Sequence, residues 1–312
     1  MEQFKPFVDF MGLVLLAIVP YVLASQGTML AGRTGIFNVA QEGIMLVGAS
    51  VGFLAAFRLG NLWLGLLAAA LAGGLLGLAL AYFTATLKMD QFVIGLALFF
   101  SCLGLSSLAY KLVIGITLQP PLIPTLQPVP VPLLHRIPLL GPILFERNLL
   151  VYFAGLLSLF LTYYLYHTSW GLQLRSVGEN PKAADSLGIN VTALQYATTI
   201  AGSMLIGVAG AYLPMVYTGT YTDGIVQGRG WLAIALTFFG GWRPDLIFVG
   251  ALFFAVVEVL SLRVQITGGA IPYQFLLTLP YITTILVMIF AFRRVRTPAF
   301  LGLNYDREKR SV

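Results

Sequence analysis

"LWLGLLAAALAGGLLGLALAYFT" (Leu62–Thr84) carries no charged residue from end to end. An α-helix rises about 1.5 Å per residue, so about 20 apolar residues cross a hydrocarbon core about 30 Å thick. This stretch is long enough to span. Outward from it the same pattern recurs at 8–24, 36–57, 91–114, 149–167, 192–216, 231–242, 246–262 and 273–292. Segment 231–242 is short, but it is counted as a crossing. The whole chain is 58% hydrophobic and only 10% charged, with a mean hydropathy of +0.89. Soluble proteins carry about 25% charged residues. No soluble core could absorb this much apolar surface, so the bilayer is the solvent. The expected fold is an all-α integral membrane protein, a polytopic bundle of about 8–10 transmembrane helices. The net charge of +6 lies between apolar segments and at the C-terminus, which fits membrane orientation better than nucleic-acid binding. Cys102 is the single cysteine, so an intrachain disulfide is excluded. The abundance of glycine suits close helix packing in lipid.

Three interruptions organise the chain. Segment 36–57 opens on the polar "NVAQEG" (Asn38–Gly43), which predicts a broken or re-entrant helix there. Residues 115–148 carry Pro120, Pro121, Pro124, Pro128, Pro130, Pro132, Pro138 and Pro142, which resist helix interiors and predict an external loop. The tail, 293–312, holds six basic and two acidic residues, which argues for a cytoplasmic C-terminus. Counting crossings back from the tail puts 168–191 and Lys88 in the cytoplasm and 115–148 outside. The N-terminus is outside if 36–57 spans and inside if it is re-entrant. Residues 1–26 imitate a signal peptide, but their apolar run also suits a first spanning helix, the reading preferred here. No internal repeat is visible, so 1–312 is expected to be a single transmembrane domain.

"GLQLRSVGENPKAADSLGINV" (Gly171–Val191) is polar and spells out a short capped helix. Asn180 suits the N-cap, Pro181 the first helical position and Gly188 the left-handed position after the last turn. Two turns are marginal alone in water. Ala183, Ala184, Leu187 and Ile189 offer an apolar face for another surface. A solvated connector and a segment that inserts into a partner's cleft both fit.

"VGENPKAADSLGINV" resembles the cytoplasmic coupling loop of permease subunits in ATP-binding-cassette (ABC) importers for simple sugars, nucleosides and branched-chain amino acids. The matching residues are Gly178, Glu179, Asn180, Ala184, Gly188 and Ile189. "GIFNVAQEGIMLVGA" (Gly35–Ala49) and "GRGWLAIALTFFGGWRPDLIFVGALFFA" (Gly228–Ala255) resemble the nucleoside branch. The resemblance implies that Glu179, Asn180, Pro181, Ala183, Ala184, Leu187, Gly188 and Ile189 dock on a separate ATPase. It also implies a second, different permease chain, an extracytoplasmic substrate-binding protein, and a bacterial or archaeal cytoplasmic membrane. The chain itself is expected to bind no cofactor and no metal, with ATP and Mg used by the partner. No lysine follows a glycine, so there is no phosphate loop, and His135 and His167 stand far apart without cysteines near them. No catalytic constellation is present, so the chain is not expected to be an enzyme.

Ionisable residues at membrane depth are costly and mark function or pairing. Asn38, Gln41 and Glu42 would share one face of a helix. They fit a substrate path, or a structural knot in which Glu42 receives backbone N–H groups. Glu258 precedes Arg263 by five residues, which suggests an ion pair or interface anchor. Phe99, Phe100, Phe238 and Phe239 could stack on a base or pack against lipid and helices. The expected function is half of a nucleoside translocation path. A simple-sugar permease of the same family and a self-contained proton-coupled transporter are the alternatives.

Overall fold

The computed structural model describes residues 4–115, 117, 119–132, 134–137, 140–266, 273–291 and 296–306. Parts of the proline-rich segment, residue 292 of the last expected span and both flanks of the tail lie outside the described residues. The described residues are mainly helical: α1 Lys5–Gly32, α2 Gln41–Leu59, α3 Leu62–Ala81, α4 Gln91–Ile114, α5 Leu149–His167, α6 Ser169–Glu179, α7 Pro181–Ser186, α8 Val191–Tyr212, α9 Arg229–Phe239, α10 Pro244–Ile266 and α11 Tyr273–Ala291. Among the described residues seven helices are long and apolar enough to cross a membrane, namely α1 to α5, α8 and α10. Two-residue strands, Val129–Pro130 and Glu146–Arg147, pair antiparallel within the proline-rich region.

Helix starts at the bundle ends are set by short polar side chains. Asn61, Asp90, Asn148, Thr168, Asn180 and Asn190 each accept a backbone N–H from the first turn of the helix that follows. Those N–H groups have no partner inside their own helix, and a capping oxygen contributes about 1 kcal/mol. α1 shows how the bundle treats a broken ladder. Pro20 has no N–H to give the Leu16 carbonyl one turn earlier. That carbonyl instead accepts the Tyr212 hydroxyl at 3.1 Å and the Tyr217 hydroxyl at 2.9 Å. In lipid such re-satisfaction is obligatory. It also ties α1 to the far end of α8.

α8 packs against α1, α2 and α3, and glycines let the backbones touch. A Cβ on Gly207 would meet the Ala69 carbonyl oxygen, one on Gly73 the Ser203 carbonyl oxygen, and one on Gly202 the Gly27 carbonyl oxygen. With lipid as solvent there is no hydrophobic drive between helices, so this close contact supplies the attraction.

Two ends of the bundle can be told apart. At one end Arg263 donates to the Pro6 carbonyl at 2.6 Å, and Gly12 lies against the Arg147 guanidinium. The start of α1 therefore shares its end with the proline-rich region. At the opposite end, the tail end, Arg33 donates to the Trp242 carbonyl at 2.9 Å and the Tyr166 hydroxyl at 3.0 Å. Burial there pushes the Arg33 guanidinium below its ordinary pKa. α6, α7 and residues 298–306 lie at this end.

Two expectations need adjusting. The break near 36–57 falls only at its front, where 36–40 is non-helical, and α2 then runs unbroken. Segment 231–242 is not a full crossing. Its helix, α9, has 11 residues, about 16 Å or half the hydrocarbon core. The reason is visible in the sequence from Gly219 to Gly228, where Gly219, Gly224 and Gly228 all take positive φ and carry the chain non-helically to the start of α9. The N-terminal stretch that imitates a signal peptide is the first helix of the bundle, packed on α5, α8, α9 and α10.

Replacing Gly207 with leucine should remove most of the monodisperse protein on size-exclusion chromatography in detergent. Gly155→Ala, where nothing lies within 4 Å of an added Cβ, should leave the profile unchanged.

Candidate functional site

α9 begins inside the bundle, beside Tyr21 of α1, and reaches the tail end where Trp242 meets Gly32. Its N-cap is Gly228, at φ 78°, which has no side chain to cap with. The cap comes from another helix. Glu42, in the first turn of α2, accepts the Gly228 N–H at 2.8 Å on Oε1 and the Gly230 N–H at 2.7 Å on Oε2. A carboxylate on two backbone donors at a helix N-terminus gains from charge-assisted bonding and from the helix dipole. Gly230 is required at this approach, since a Cβ there would stand 2.6 Å from the Glu42 Cα.

Arg229 lies between these two donors in sequence and turns the other way. Its Nη2 contacts Glu258 Oε1 of α10 at 2.6 Å, with the side chains 17% and 15% exposed. Tyr21, Gln227, Ser261, Gln265 and Tyr281 surround the pair around a cavity of about 120 Å³. The Tyr281 hydroxyl donates to the Gln227 carbonyl at 2.8 Å and holds the non-helical approach to α9.

The sequence-predicted residues are placed as follows. Asn38, Gln41 and Glu42 do not share a helix face, because the helix starts only at Gln41. Asn38 sits in the link before α2, and its Oδ1 accepts the Ala40 N–H at 3.0 Å. Gln41 Oε1 is bonded to the Thr28 hydroxyl of α1. All three are buried, and Asn38 Nδ2 and Gln41 Nε2 find no partner among the described residues. Glu258 pairs with Arg229 and not with Arg263, which turns to Pro6 instead. Phe99 and Phe100 do come together, with centroids 5.1 Å apart, and Trp231 joins Phe99 edge-on at 5.4 Å. Phe100 and Trp231 are 64% and 39% exposed, so this trio stands on the bundle surface one residue from the Glu42 cap. Phe238 belongs elsewhere, packed on Phe37 and Trp242, and Phe239 packs against the core.

At the tail end the capped helix is as its sequence dictates. Asn180 Oδ1 accepts the Ala183 N–H at 3.0 Å, Pro181 opens α7, and Gly188 has φ +84°. Its two faces differ from the expected one. Ala184 is buried against Val177, Val191 and Tyr305 of the same chain, whereas Ala183 is exposed and Leu187 is 81% exposed. Ile189 is half-buried, and Glu179 accepts the Ala299 N–H at 3.4 Å. Leu187, the residue that ends this helix, is therefore its large apolar side chain turned outward, beside the small Ala183.

Residues 10–292 match the family described as branched-chain amino acid transport system / permease component. The chain belongs to this family. It is an ABC transporter permease and a multi-pass membrane protein, and such subunits are not themselves catalytic. It is 34% identical to the nucleoside ABC transporter permease NupC of Lactococcus lactis over 95% of this chain and 96% of the relative. It is 32% identical to the guanosine ABC transporter permease NupQ of Bacillus subtilis over 95% and 96%. It is 31% identical to the candidate glucose ABC transporter permease TsgC13 of Haloferax volcanii over 92% and 94%.

The structural-knot reading of Glu42, as a receiver of backbone N–H groups, is the one this geometry matches. Sequence reasoning missed Trp231, Arg229 and the identity of the two glycines that donate. A signal was available: "GRGW" (Gly228–Trp231) puts an arginine between apolar segments, and Glu258 needed a counter-charge. The paired removal of that charge is testable. Glu258→Gln alone strands a buried guanidinium and should lower thermal stability in detergent more than the Arg229→Gln/Glu258→Gln double variant does. A double-mutant cycle should give a coupling within the usual range of about 0.5–3 kcal/mol for contacting residues.

Proposed function

We propose that this chain forms half of the substrate path of an ABC importer for nucleosides. Its tail end faces the cytoplasm and its proline-rich region faces outside. A separate ATPase docks on α7, a different permease chain completes the path, and an extracytoplasmic binding protein delivers substrate. ATP and Mg act on the ATPase alone.

The observation that carries the substrate reading is the aromatic trio of Phe99, Phe100 and Trp231. Every base has a π-face, and stacking on an aromatic side chain contributes about 1–3 kcal/mol per base. The trio lies on the surface of one chain, where a second permease would supply the opposite wall. Asn38 in the link and Gln41 at the start of α2 are buried, with amide N–H groups unpartnered among the described residues, and would meet ribose hydroxyls only when the path opens. Glu42 is committed to the α9 cap, so its part in transport is to hold Trp231 in place through Gly230. The similarity to nucleoside and guanosine permeases supports the same class. A simple sugar is the second reading, favoured by the similarity to the glucose permease candidate.

The coupling reading rests on α7. A capped, rigid helix at the tail end with Leu187 outward suits a groove on an ATPase, whose closure would push α7 and switch the path between two packings.

Uptake of tritiated guanosine and uridine in a deletion strain, with glucose as competitor, tests the substrate class. Nucleoside uptake untouched by excess glucose is expected, and glucose uptake without nucleoside uptake would turn the assignment to sugars. Trp231→Ala should raise KM for the nucleoside about 5- to 100-fold, matching the loss of one stacking contact, while Trp231→Phe should keep most of the affinity. An unchanged KM in Trp231→Ala would remove the trio from the path.

A further inference from the structure

The chain does not trail away after its last helix. Phe300 N–H donates to the Gly178 carbonyl of α6 at 2.9 Å, and Gly302 N–H to the Gly35 carbonyl of the α1–α2 link at 3.0 Å. Asn304 Nδ2 donates to the Lys88 and Met89 carbonyls of the α3–α4 turn at 2.7 and 2.8 Å. Gln91, the first residue of α4, donates to the Leu303 carbonyl at 3.1 Å and Asn304 Oδ1 at 3.2 Å. Its Oε1 accepts the Phe37 N–H of the link at 2.7 Å. Tyr305 donates its hydroxyl to Asp185 of α7 at 2.9 Å and packs beside Ala184 and Val191. Lys88 and Asp306 pair at 2.8 Å.

Residues 298–306 thus bond to three segments that are distant in sequence: α6–α7, the α1–α2 link and the α3–α4 turn. Most of these contacts go to backbone carbonyls, so they fix chain paths and not merely side-chain packing. The α3–α4 turn needs such a hold. Lys88 takes φ +54°, a left-handed conformation that L side chains adopt only at a cost in free energy. Asn304 accommodates it by capturing the two carbonyls the turn displays. The link needs it too, since it leads directly into Gln41 and Glu42. Gly178 touches the Arg33 carbonyl, where a Cβ has no room, so α6 and the link are already in backbone contact and the tail closes the ring around them.

We infer that residues 298–306 are a positioning strap that makes α6–α7, the α1–α2 link and the α3–α4 turn move as one body. A displacement of α7 then reaches Glu42, and through it α9 and Trp231, as well as the start of α4 that carries Phe99. This rests on the reading of α7 as the segment that an ATPase pushes. The strap is inside that relay and does not itself dock the ATPase.

The test uses the whole transporter complex at matched membrane levels, with the Asn304→Ala/Tyr305→Phe double variant beside Leu187→Arg. Co-purification with the ATPase, ATP hydrolysis, and uptake of guanosine, uridine and glucose are measured together. The double variant should co-purify and hydrolyse ATP as the unaltered complex does, while uptake per ATP falls about fivefold or more, the scale of a lost inter-site coupling. Leu187→Arg should lose co-purification. Unchanged uptake per ATP in the double variant, with co-purification lost in Leu187→Arg, overturns the strap and leaves the coupling reading standing. Normal co-purification and uptake in Leu187→Arg overturns the coupling reading itself. Loss of co-purification in the double variant makes the tail part of the dock and also overturns the strap. Should the double variant fail to accumulate, Asn304→Ala alone carries the same expectation at about twofold, one hydrogen-bonding residue in place of two.

Discussion

A carboxylate on α2 caps a helix that starts inside the membrane. Glu42 receives the Gly228 and Gly230 N–H groups, and much of the interior follows from that. A helix that begins within hydrocarbon exposes backbone donors that no water can satisfy. Each unsatisfied donor costs about 1–3 kcal/mol. A side chain at its own N-cap could serve one of them, but the N-cap must be Gly228 because φ is 78° there. The cap therefore comes from another helix. An anion meets the positive end of the α9 dipole, and the two stabilise each other.

The remaining polar groups fall into place around that contact. Arg229 leaves the cap and finds Glu258, so the second buried charge is also paired. The Ser25 hydroxyl donates to the Ala233 carbonyl at 3.0 Å, and the Thr237 hydroxyl donates to the Ser25 carbonyl at 3.2 Å, which fastens α9 along α1. One side of α9 is thereby fixed to α1, α2 and α10, and its first turn presents Trp231 to Phe99. In the proposed path, a wall built on this half-length helix would shift as a unit when its neighbours move, the kind of bistable packing that alternating access uses. The proposed tail strap would connect the tail end of the bundle mechanically to the same carboxylate.

The fold was legible wherever a rule acts within one turn or one span. Leu62–Thr84 announces a membrane helix by length and lack of charge. Asn180, Pro181 and Gly188 announce both ends of α7, because capping chemistry acts within a few residues. The failures share one cause, which is pairing across long sequence separation. Glu42 was legible as a receiver of backbone N–H groups, but nothing near it in sequence tells that these belong to Gly228 and Gly230, 186 and 188 residues away. Glu258 passes over nearby Arg263 for Arg229, 29 residues back. Nothing in the spacing of Asn38, Gln41 and Glu42 tells that the helix begins only after Asn38. The face of α7 was misjudged for a related reason. Ala184 and Leu187 are both apolar, and only the packing of Val177, Val191 and Tyr305 decides that Ala184 turns inward. In the site, Phe99 and Phe100 were legible as aromatics on a span. Trp231 was not, since its importance depends on where α9 starts.

Hydrogen–deuterium exchange reads whether Glu42 holds the first turn of α9. Peptides covering 226–239 would be followed by mass spectrometry in the purified protein and in Glu42→Gln. The amide of glutamine can accept one of the two N–H groups but turns its own NH₂ toward the other, so the α9 start should lose protection. Exchange over this segment should accelerate about tenfold or more, in line with the loss of roughly 1.4 kcal/mol or more of local stability. Peptides from α3 and α8 should be unchanged. Equal exchange at 226–239 in both proteins would mean that the first turn of α9 owes its order to something other than Glu42.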